Sequence, residues 1–354
     1  LTVDNAVEIA LANNPDYRSA KHAVTAAWAR FYAAGSAYLP TLSADYNITE
    51  YKYVPFAQGG TGRDNYNRYS NKTGALQADW EVFNGLVTTM TVISARKEAS
   101  QYEALDRDSR RLLIQNVINS YNNVLLAKEN IRIAAEDMNF NDKLLKETEI
   151  KYEAGAVPLS EPLNFRVKAN EAKSALVDQT YNYAAAKFVL AELMGVTEAK
   201  IPDDVVFVQN EDKTFTLSSE LDIYLDSALA NRPDLEAYRK GLEMSRYDLW
   251  AKYGAFFPTV SAQSSYGYSR DDSGYSGRYQ YRPRAQDRSL NYGVSANWTI
   301  FSGGRRIADL REAQALLAEA QENLIERWIQ VVMEVRQAFE NAKRTYEQVK
   351  IYSE

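Results

Sequence analysis

Residues Gly85–Glu153 read GLVTTMTVISARKEASQYEALDRDSRRLLIQNVINSYNNVLLAKENIRIAAEDMNFNDKLLKETEIKYE. After the glycine there is no proline and no further glycine. Apolar residues return every three or four positions, among them Ile93, Ala99, Tyr102, Leu105, Leu113, Val117, Tyr121, Val124, Ile131, Met138 and Leu145. That is the period of a helix, not of a strand. At 1.5 Å per residue an unbroken helix of this length measures about 100 Å. Ordinary globular helices hold about 11–12 residues. A compact domain cannot contain such an element, so it needs partners along its length, as in a coiled coil or a helical tube. No run of about 20 apolar residues occurs in it, so this segment is not a membrane-crossing helix.

The totals narrow the function classes. Charged residues make up 25% and hydrophobic residues 45% of 354, which is not a disordered composition. The net charge of −6 argues against a nucleic-acid partner. Cysteine is absent, so disulfides and thiolate zinc sites are excluded within these residues. His22 is the one histidine, which leaves neither a histidine-rich metal site nor a histidine-based catalytic triad. No glycine-rich phosphate loop is present, since Gly59-Gly60-x-Gly62 precedes no helix. The chain is therefore read as a non-enzyme without cofactors. Tyrosine is abundant, 25 against 12 Phe and 5 Trp. Tyr and Trp suit boundaries that are apolar on one side and wet on the other. Leu1 stands where a Met would start a chain, so a processed leader or a chosen expression start is expected upstream.

Helices are expected over 3–36, interrupted at Asn13-Asn14-Pro15, with Thr2 as an N-cap. After Pro40 the period changes to two. Leu42, Ala44, Tyr46 and Ile48 alternate with Ser43, Asp45, Asn47 and Thr49, which predicts a strand over 41–52. A polar stretch, about 53–71, reads as an exposed loop. A second strand is expected over 73–83, with Leu76, Ala78, Trp80 and Val82 on one face and Gln77, Asp79 and Glu81 on the other. Asn84-Gly85 turns the chain into the long helix, expected over 86–153. Gly155 fits a helix C-cap, residues 154–161 form a tip, Ser160 is placed to cap the next helix, and a return helix is expected over 162–194. Residues 196–217 read as a linker with a β-prone run at Val205–Val208.

The pattern then returns 218 residues on. Ala10-Leu11-Ala12-Asn13-Asn14-Pro15-Asp16 is matched by Ala228-Leu229-Ala230-Asn231-Arg232-Pro233-Asp234, Leu39-Pro40-Thr41 by Phe257-Pro258-Thr259, and Trp80-Glu81-Val82-Phe83-Asn84-Gly85 by Trp298-Thr299-Ile300-Phe301-Ser302-Gly303. Three separated matches at one offset mark a tandem duplication of a helix–strand–loop–strand–helix module. Its period is too long for a solenoid unit. The first repeat is 1–195. The second, 218–354, is expected to hold helices over 218–254, strands over 259–269 and 289–301, and a long helix over 304–354. Glu354 corresponds to Glu136, so a counterpart of Asp137–Met194 is expected to follow.

Four strands of about 10 residues, apolar on one face and polar on the other, have the length and alternation of membrane β-strands. Four strands cannot close a barrel, and an open edge in lipid is excluded. The strands must then be shared, and three copies supply twelve, inside the range of such barrels. On this reading Leu42, Tyr46, Ile48, Leu76, Trp80, Val260, Tyr266, Tyr268, Tyr292 and Trp298 face lipid or form aromatic girdles, while Asp45, Asp79 and Glu81 face the lumen. Ordinary solvation of a wet face accounts for the acids equally well. A soluble sheet packed on its own helices is the competing explanation of the alternation.

The chain resembles the TolC-like outer-membrane efflux proteins. The resemblance is carried by Leu1-Thr2-Val3-x-x-Ala6-Val7-x-x-Ala10-Leu11-x-Asn13-Asn14-Pro15, the corner Tyr38-Leu39-Pro40-Thr41-Leu42, Trp80-x-Val82-Phe83-Asn84-Gly85, the tip Tyr152-Glu153-Ala154-Gly155, and the second copies. It implies a homotrimeric twelve-stranded β-barrel continued by a long α-helical barrel in the periplasm of a Gram-negative bacterium. It further implies an outer-membrane exit duct of a tripartite efflux pump or a type I secretion system, without catalytic residues. The implied partners are a periplasmic adaptor protein, an inner-membrane transporter and outer-membrane lipid. Gly155, Val157, Leu159 and Ser160 align with the adaptor-contacting tip of the family, and Ser160 and Glu161 with its periplasmic gate. A plain capped turn and a solvated N-terminal acid explain the same residues locally. The alternative for the whole chain is a periplasmic coiled-coil scaffold without channel activity.

Overall fold

In the computed structural model, residues 1–53, 67–208, 220–275 and 285–353 are described. The first repeat contains α1 (Val3–Asn13), α2 (Pro15–Gly35), a 3-10 turn (Ser36–Tyr38), β1 (Thr41–Tyr53), β2 (Asn67–Phe83), α3 (Val87–Glu153) and α4 (Ser160–Leu193). The second contains α5 (Leu221–Asn231), α6 (Pro233–Gly254), β3 (Thr259–Tyr275), β4 (Ala285–Asn297) and α7 (Arg305–Ser353). No helix among the described residues is long and apolar enough to cross a membrane.

Local chemistry sets the helix ends. The Thr2 hydroxyl accepts from the Asn5 N–H at 3.3 Å and starts α1. Asn14 ends one helix and begins another. Its N–H donates to the Ala10 carbonyl (2.8 Å), and its side-chain oxygen accepts from the Tyr17 N–H (3.0 Å). Its amide donates to the Leu193 carbonyl at the end of α4 (3.0 Å). Pro15 loses nothing as the first residue of α2, where an N–H would have no partner. At the end of α3 the Gly155 N–H donates to the Tyr152 carbonyl and the Ala156 N–H to the Lys151 carbonyl, both at 2.9 Å. With Gly155 at φ +73°, this is the Schellman closure expected of a C-terminal glycine.

Contacts divide the chain into two compact units, each drawn from both repeats. One comprises Leu1–Ala26, Gln101–Ala237 and Arg327–Glu354; the other comprises Ala27–Ser100 and Tyr238–Glu326. The first unit holds an apolar core in which Ala6 and Ala10 of α1, Val117 and Tyr121 of α3 and Leu190 of α4 meet Ile201 and Phe207. The Tyr121 hydroxyl lies 2.6 Å from the Leu1 carbonyl and 2.8 Å from the Val208 carbonyl, and accepts from the Val208 N–H at 3.0 Å. The Val205–Val208 run is therefore held by Tyr121 and by Leu1, whose carbonyl accepts from the Val208 N–H, and it forms no strand.

The second unit carries one antiparallel sheet in the order β1-β2-β3-β4. The two hairpins share one register: Thr41↔Asp79 in the first is Thr259↔Asn297 in the second. The seam between the repeats is β2–β3, running from Asn67↔Tyr275 to Glu81↔Ser261, with a bulge before Phe83↔Val260. The strand-to-helix corners repeat as well. The Trp80 indole N–H donates to the Tyr38 carbonyl at 2.9 Å, and that of Trp298 to the Phe256 carbonyl at 3.0 Å.

Several boundaries differ from the sequence expectation. β2 begins at Asn67 rather than 73, and β3 continues to Tyr275 rather than 269. Both extensions are polar, and the ladder to a neighbouring strand satisfies their backbone whatever the side chains. Arg270, just past the expected end of β3, pairs with Lys72 across the seam. The rest of the expected loops, 54–66 and 276–284, lies outside the described residues, as does 209–219 of the linker. β4 spans 285–297 rather than 289–301, so Trp298 and Ile300 lie past its end. The reason is pairing: β1 stops opposite Asp79, so β2 is carried beyond it to Phe83 by β3 alone. β4 has β3 on one side as far as Asn297 and, among the described residues, no strand on the other. Finally, Ser160 is not a cap but the first residue of α4. The residue before it, Leu159, is already in the right-handed helical region (φ −56°, ψ −26°), and no side-chain cap bond forms there.

Candidate functional site

The first candidate site is the pair of sheet faces. Ladder partners share a face, so the register assigns every residue. One face collects Leu42, Tyr46 and Ile48 of β1, Leu76 and Trp80 of β2, Val260, Tyr266 and Tyr268 of β3, and Tyr292 of β4. These are the residues expected to meet lipid, apart from Trp298, which lies beyond the strand. The face is not covered by the chain's own helices: Leu42 and Tyr292 are each 82% exposed, and Leu76, Tyr46, Leu290 and Val294 are exposed with them. The opposite face carries Asp45, Asn47, Gln77, Asp79, Gln263, Ser265 and Asn291. Asp45 and Asp79 lie on it as expected.

Glu81 lies on the same face, paired with Ser261, at the end of its strand. Its carboxylate accepts from the Asn84 amide at 2.6 Å. Asn84 also donates to the Thr88 hydroxyl (2.7 Å) and accepts from the Thr88 N–H (3.2 Å), which caps the start of α3. Glu81 thus belongs to the strand-to-helix corner. The equivalent corner uses Arg306 in place of Thr88. Its guanidinium donates to the carbonyls of Ala255 and Thr299 and lies 5.2 Å from the Phe256 ring centroid.

The second candidate site is the α3–α4 hairpin tip. Gly155, Leu159, Ser160 and Glu161 are exposed, Val157 is partly covered, and Pro162 is buried. Leu159 is 52% exposed, and Ile150, Tyr152, Leu163 and Val167 add exposed apolar surface around it. Arg166 of α4 clasps Glu149 of α3 at 2.7 Å and Lys173 clasps Asp142 at 3.1 Å, so the hairpin is held shut near its end. The tip therefore presents an apolar rim on a clasped hairpin.

One cluster escaped the sequence reading. Asp234, at the start of α6, is 4% exposed. It accepts from Arg232 at 2.7 Å, from Arg327 of α7 at 2.5 Å and from the Leu235 N–H at 2.9 Å. Burial by itself would raise the Asp234 carboxyl. The bonds from Arg232, Arg327 and the Leu235 N–H outweigh it and hold the group well below the usual carboxylate range. Glu334 pairs with both arginines, at 2.7 Å and 3.3 Å. The signal was present in the duplication: Arg232 stands where Asn14 stands in the first repeat, and an arginine cannot cap as an asparagine does.

Comparison with known proteins agrees with this geometry. The family model described as "Outer membrane efflux protein" matches residues 6–196 and 224–354. The chain is 22% identical over 355 residues to the alkaline protease secretion protein AprF of Pseudomonas aeruginosa, covering 97% of this chain and 70% of that protein. It is 23% identical over 343 residues to the outer membrane efflux protein BepC of Brucella suis, covering 96% and 69%. The solved outer membrane protein VceC of Vibrio cholerae is similar with a TM-score of 0.76 at 20% identity, over 98% of this chain and 80% of that one. The Campylobacter jejuni CmeC outer membrane channel gives 0.75 at 20% identity, over 98% and 74%. With both repeats matched and the same fold shared by solved channels, the chain belongs to the outer membrane efflux protein family, the outer-membrane channels of efflux and secretion.

Proposed function

We propose that three copies of this chain close a twelve-stranded barrel in the outer membrane of a Gram-negative bacterium, with the helices forming the periplasmic part of one duct. The duct serves as the exit of a tripartite efflux pump or a type I secretion system. A periplasmic adaptor docks on the tip around Gly155, Val157, Leu159 and Ser160, and an inner-membrane transporter feeds the duct. The carrying observation is the sheet: its apolar face is bare, and among the described residues both of its outer edges are unpaired. In lipid the first feature is favourable and the second is forbidden unless neighbouring copies complete the ring.

A coiled-coil scaffold would cover Leu42, Tyr46, Leu76 and Tyr292 with its own helices, and their exposure favours the duct. The test is to purify the protein in detergent, measure its mass and insert it into planar bilayers. A trimer with discrete single-channel conductance is expected. A monomer that stays in solution without detergent and conducts nothing would overturn the proposal.

A further inference from the structure

We propose that each copy of this chain holds one anionic phospholipid of the periplasmic leaflet at the strand-to-helix corner of its second repeat, where β4 leads into α7, and none at the matching corner of its first. The site rests on the barrel proposed above, which sets the sheet in the outer membrane and the helices beneath it. The corner is one connected piece of structure. The Trp298 indole donates to the Phe256 carbonyl at 3.0 Å. Arg306 reaches back to the carbonyls of Ala255 and Thr299 and lies over the Phe256 ring. The end of α6, the residues after β4 and the start of α7 are thereby tied together.

Both corners offer an apolar surface for acyl chains. Leu39, Trp80 and Val82 are exposed at the first, and Phe257, Trp298 and Ile300 at the second. Each indole is fixed by its bond to a backbone carbonyl. An indole held at the edge of an apolar face suits the boundary between hydrocarbon and water. Charge separates the two corners. Residues 34–39 and 80–91 carry one charge, Glu81. Their counterparts, 252–257 and 298–309, carry Lys252, Arg305, Arg306 and Asp309, so the net charge changes from −1 to +2. Ala34, Val87 and Thr88 stand in the first repeat where Lys252, Arg305 and Arg306 stand in the second.

The three cations differ in what they touch. Arg306 is occupied by its own backbone and by Phe256, so it holds the corner in shape. The Arg305 side chain is 85% exposed, and among the described residues its one ion pair is with Asp309 at 3.9 Å, too long for a hydrogen bond. Lys252 is exposed, has no ion pair among the described residues, and lines one groove with Ala255 and Asp309. Arg305 therefore has N–H donors free for the oxygens of a phosphate, a charge-assisted pairing that guanidinium geometry favours. A free cation next to bare Trp298 and Ile300, at the foot of the membrane sheet, complements a molecule with an anionic phosphate and apolar chains. A zwitterionic headgroup brings its own amine to the same arginine and gains less. Free phosphate would leave the apolar side chains in water.

Native mass spectrometry of the detergent-purified protein, titrated with phosphatidylglycerol or phosphatidylethanolamine, reads the site directly. One tightly held phosphatidylglycerol per copy is expected, surviving activation that strips phosphatidylethanolamine. Arg305→Gln should weaken its retention by about fivefold, the effect of one cation at an anionic lipid surface, and Arg305→Gln with Lys252→Gln should weaken it further. Both side chains are exposed, so the assembly should persist, and the same spectra report its mass. Arg132→Gln, on an exposed stretch of α3, should change nothing. Excess inorganic phosphate should not displace the lipid. Two equivalent lipids per copy, equal retention of the two lipids, displacement by inorganic phosphate, or full retention in the double variant would each overturn the site. If the protein is then still a conducting trimer, the duct stands and only the lipid site falls. A detergent-free monomer that conducts nothing overturns both.

Discussion

The backbones of Gly85 and Gly254 lie against each other: a methyl placed on Gly254 would sit 2.6 Å from the Gly85 carbonyl oxygen. Gly85 also has φ +68°, and a Cβ there would run into the Gly254 carbonyl and lie 2.8 Å from the Phe257 Cβ. The turn out of β2 and the turn into β3 can share this corner only without side chains.

Gly85→Ala should therefore carry two costs, the left-handed backbone at about 1 kcal/mol and a clash at about 1–3 kcal/mol. Gly155→Ala carries the first alone, since its Cβ meets nothing within 4 Å. Thermal unfolding followed by circular dichroism should rank wild type above Gly155→Ala, and both above Gly85→Ala. Equal midpoints for the two variants would contradict the close approach.

The sheet faces predict opposite responses one residue apart. Leu76→Arg places a charge on the apolar face and should cost about 2–4 kcal/mol near the bilayer midplane. Gln77→Arg places the same charge on the polar face and should be tolerated. Recovery of folded protein from outer membranes measures both. Similar recovery of the two variants would show that the faces are not distinguished by lipid.

At the hairpin tip, Leu159→Asp and Gly155→Trp should reduce export by more than about tenfold, as loss of an interface anchor does. Both positions are exposed and Gly155 has open space around it, so assembly should persist. Drug susceptibility together with native mass measures the two effects. Unimpaired export in either variant would remove the tip from the docking surface.

Asp234 gives a pH dependence of definite sign. Its folded carboxyl is depressed, and an unfolded aspartate titrates near 3.9. The group therefore stabilises fully above about pH 4, and that stabilisation is lost as pH falls further, through the folded value. Asp234→Asn should cost about 3 kcal/mol at neutral pH, because Arg232 and Arg327 lose a buried partner. The gap between wild type and variant should narrow as the solution is acidified below pH 4. Denaturant titration over that range checks it, and a constant gap would exclude a charged Asp234 as the source.

Much of this molecule is determined by sequence alone. The helix period between Gly85 and Glu153, the alternation at Leu42–Ile48 and the 218-residue offset fix element types, sheet faces and duplication, because each is a local pattern repeated often enough to be unambiguous. Other features were decided only when distant segments met. The polar ends of β2 and β3 became strand because a neighbour satisfied their backbone. β4 stopped at Asn297 where, among the described residues, no second neighbour ran beside it. Glu81 gained a bond from the Asn84 amide at the end of its strand, and Asp234 was buried only because Arg327, far along the chain, arrived to neutralise it. Pairing, burial and charge compensation depend on what lies across the gap, and no stretch of sequence carries that information about its own partner.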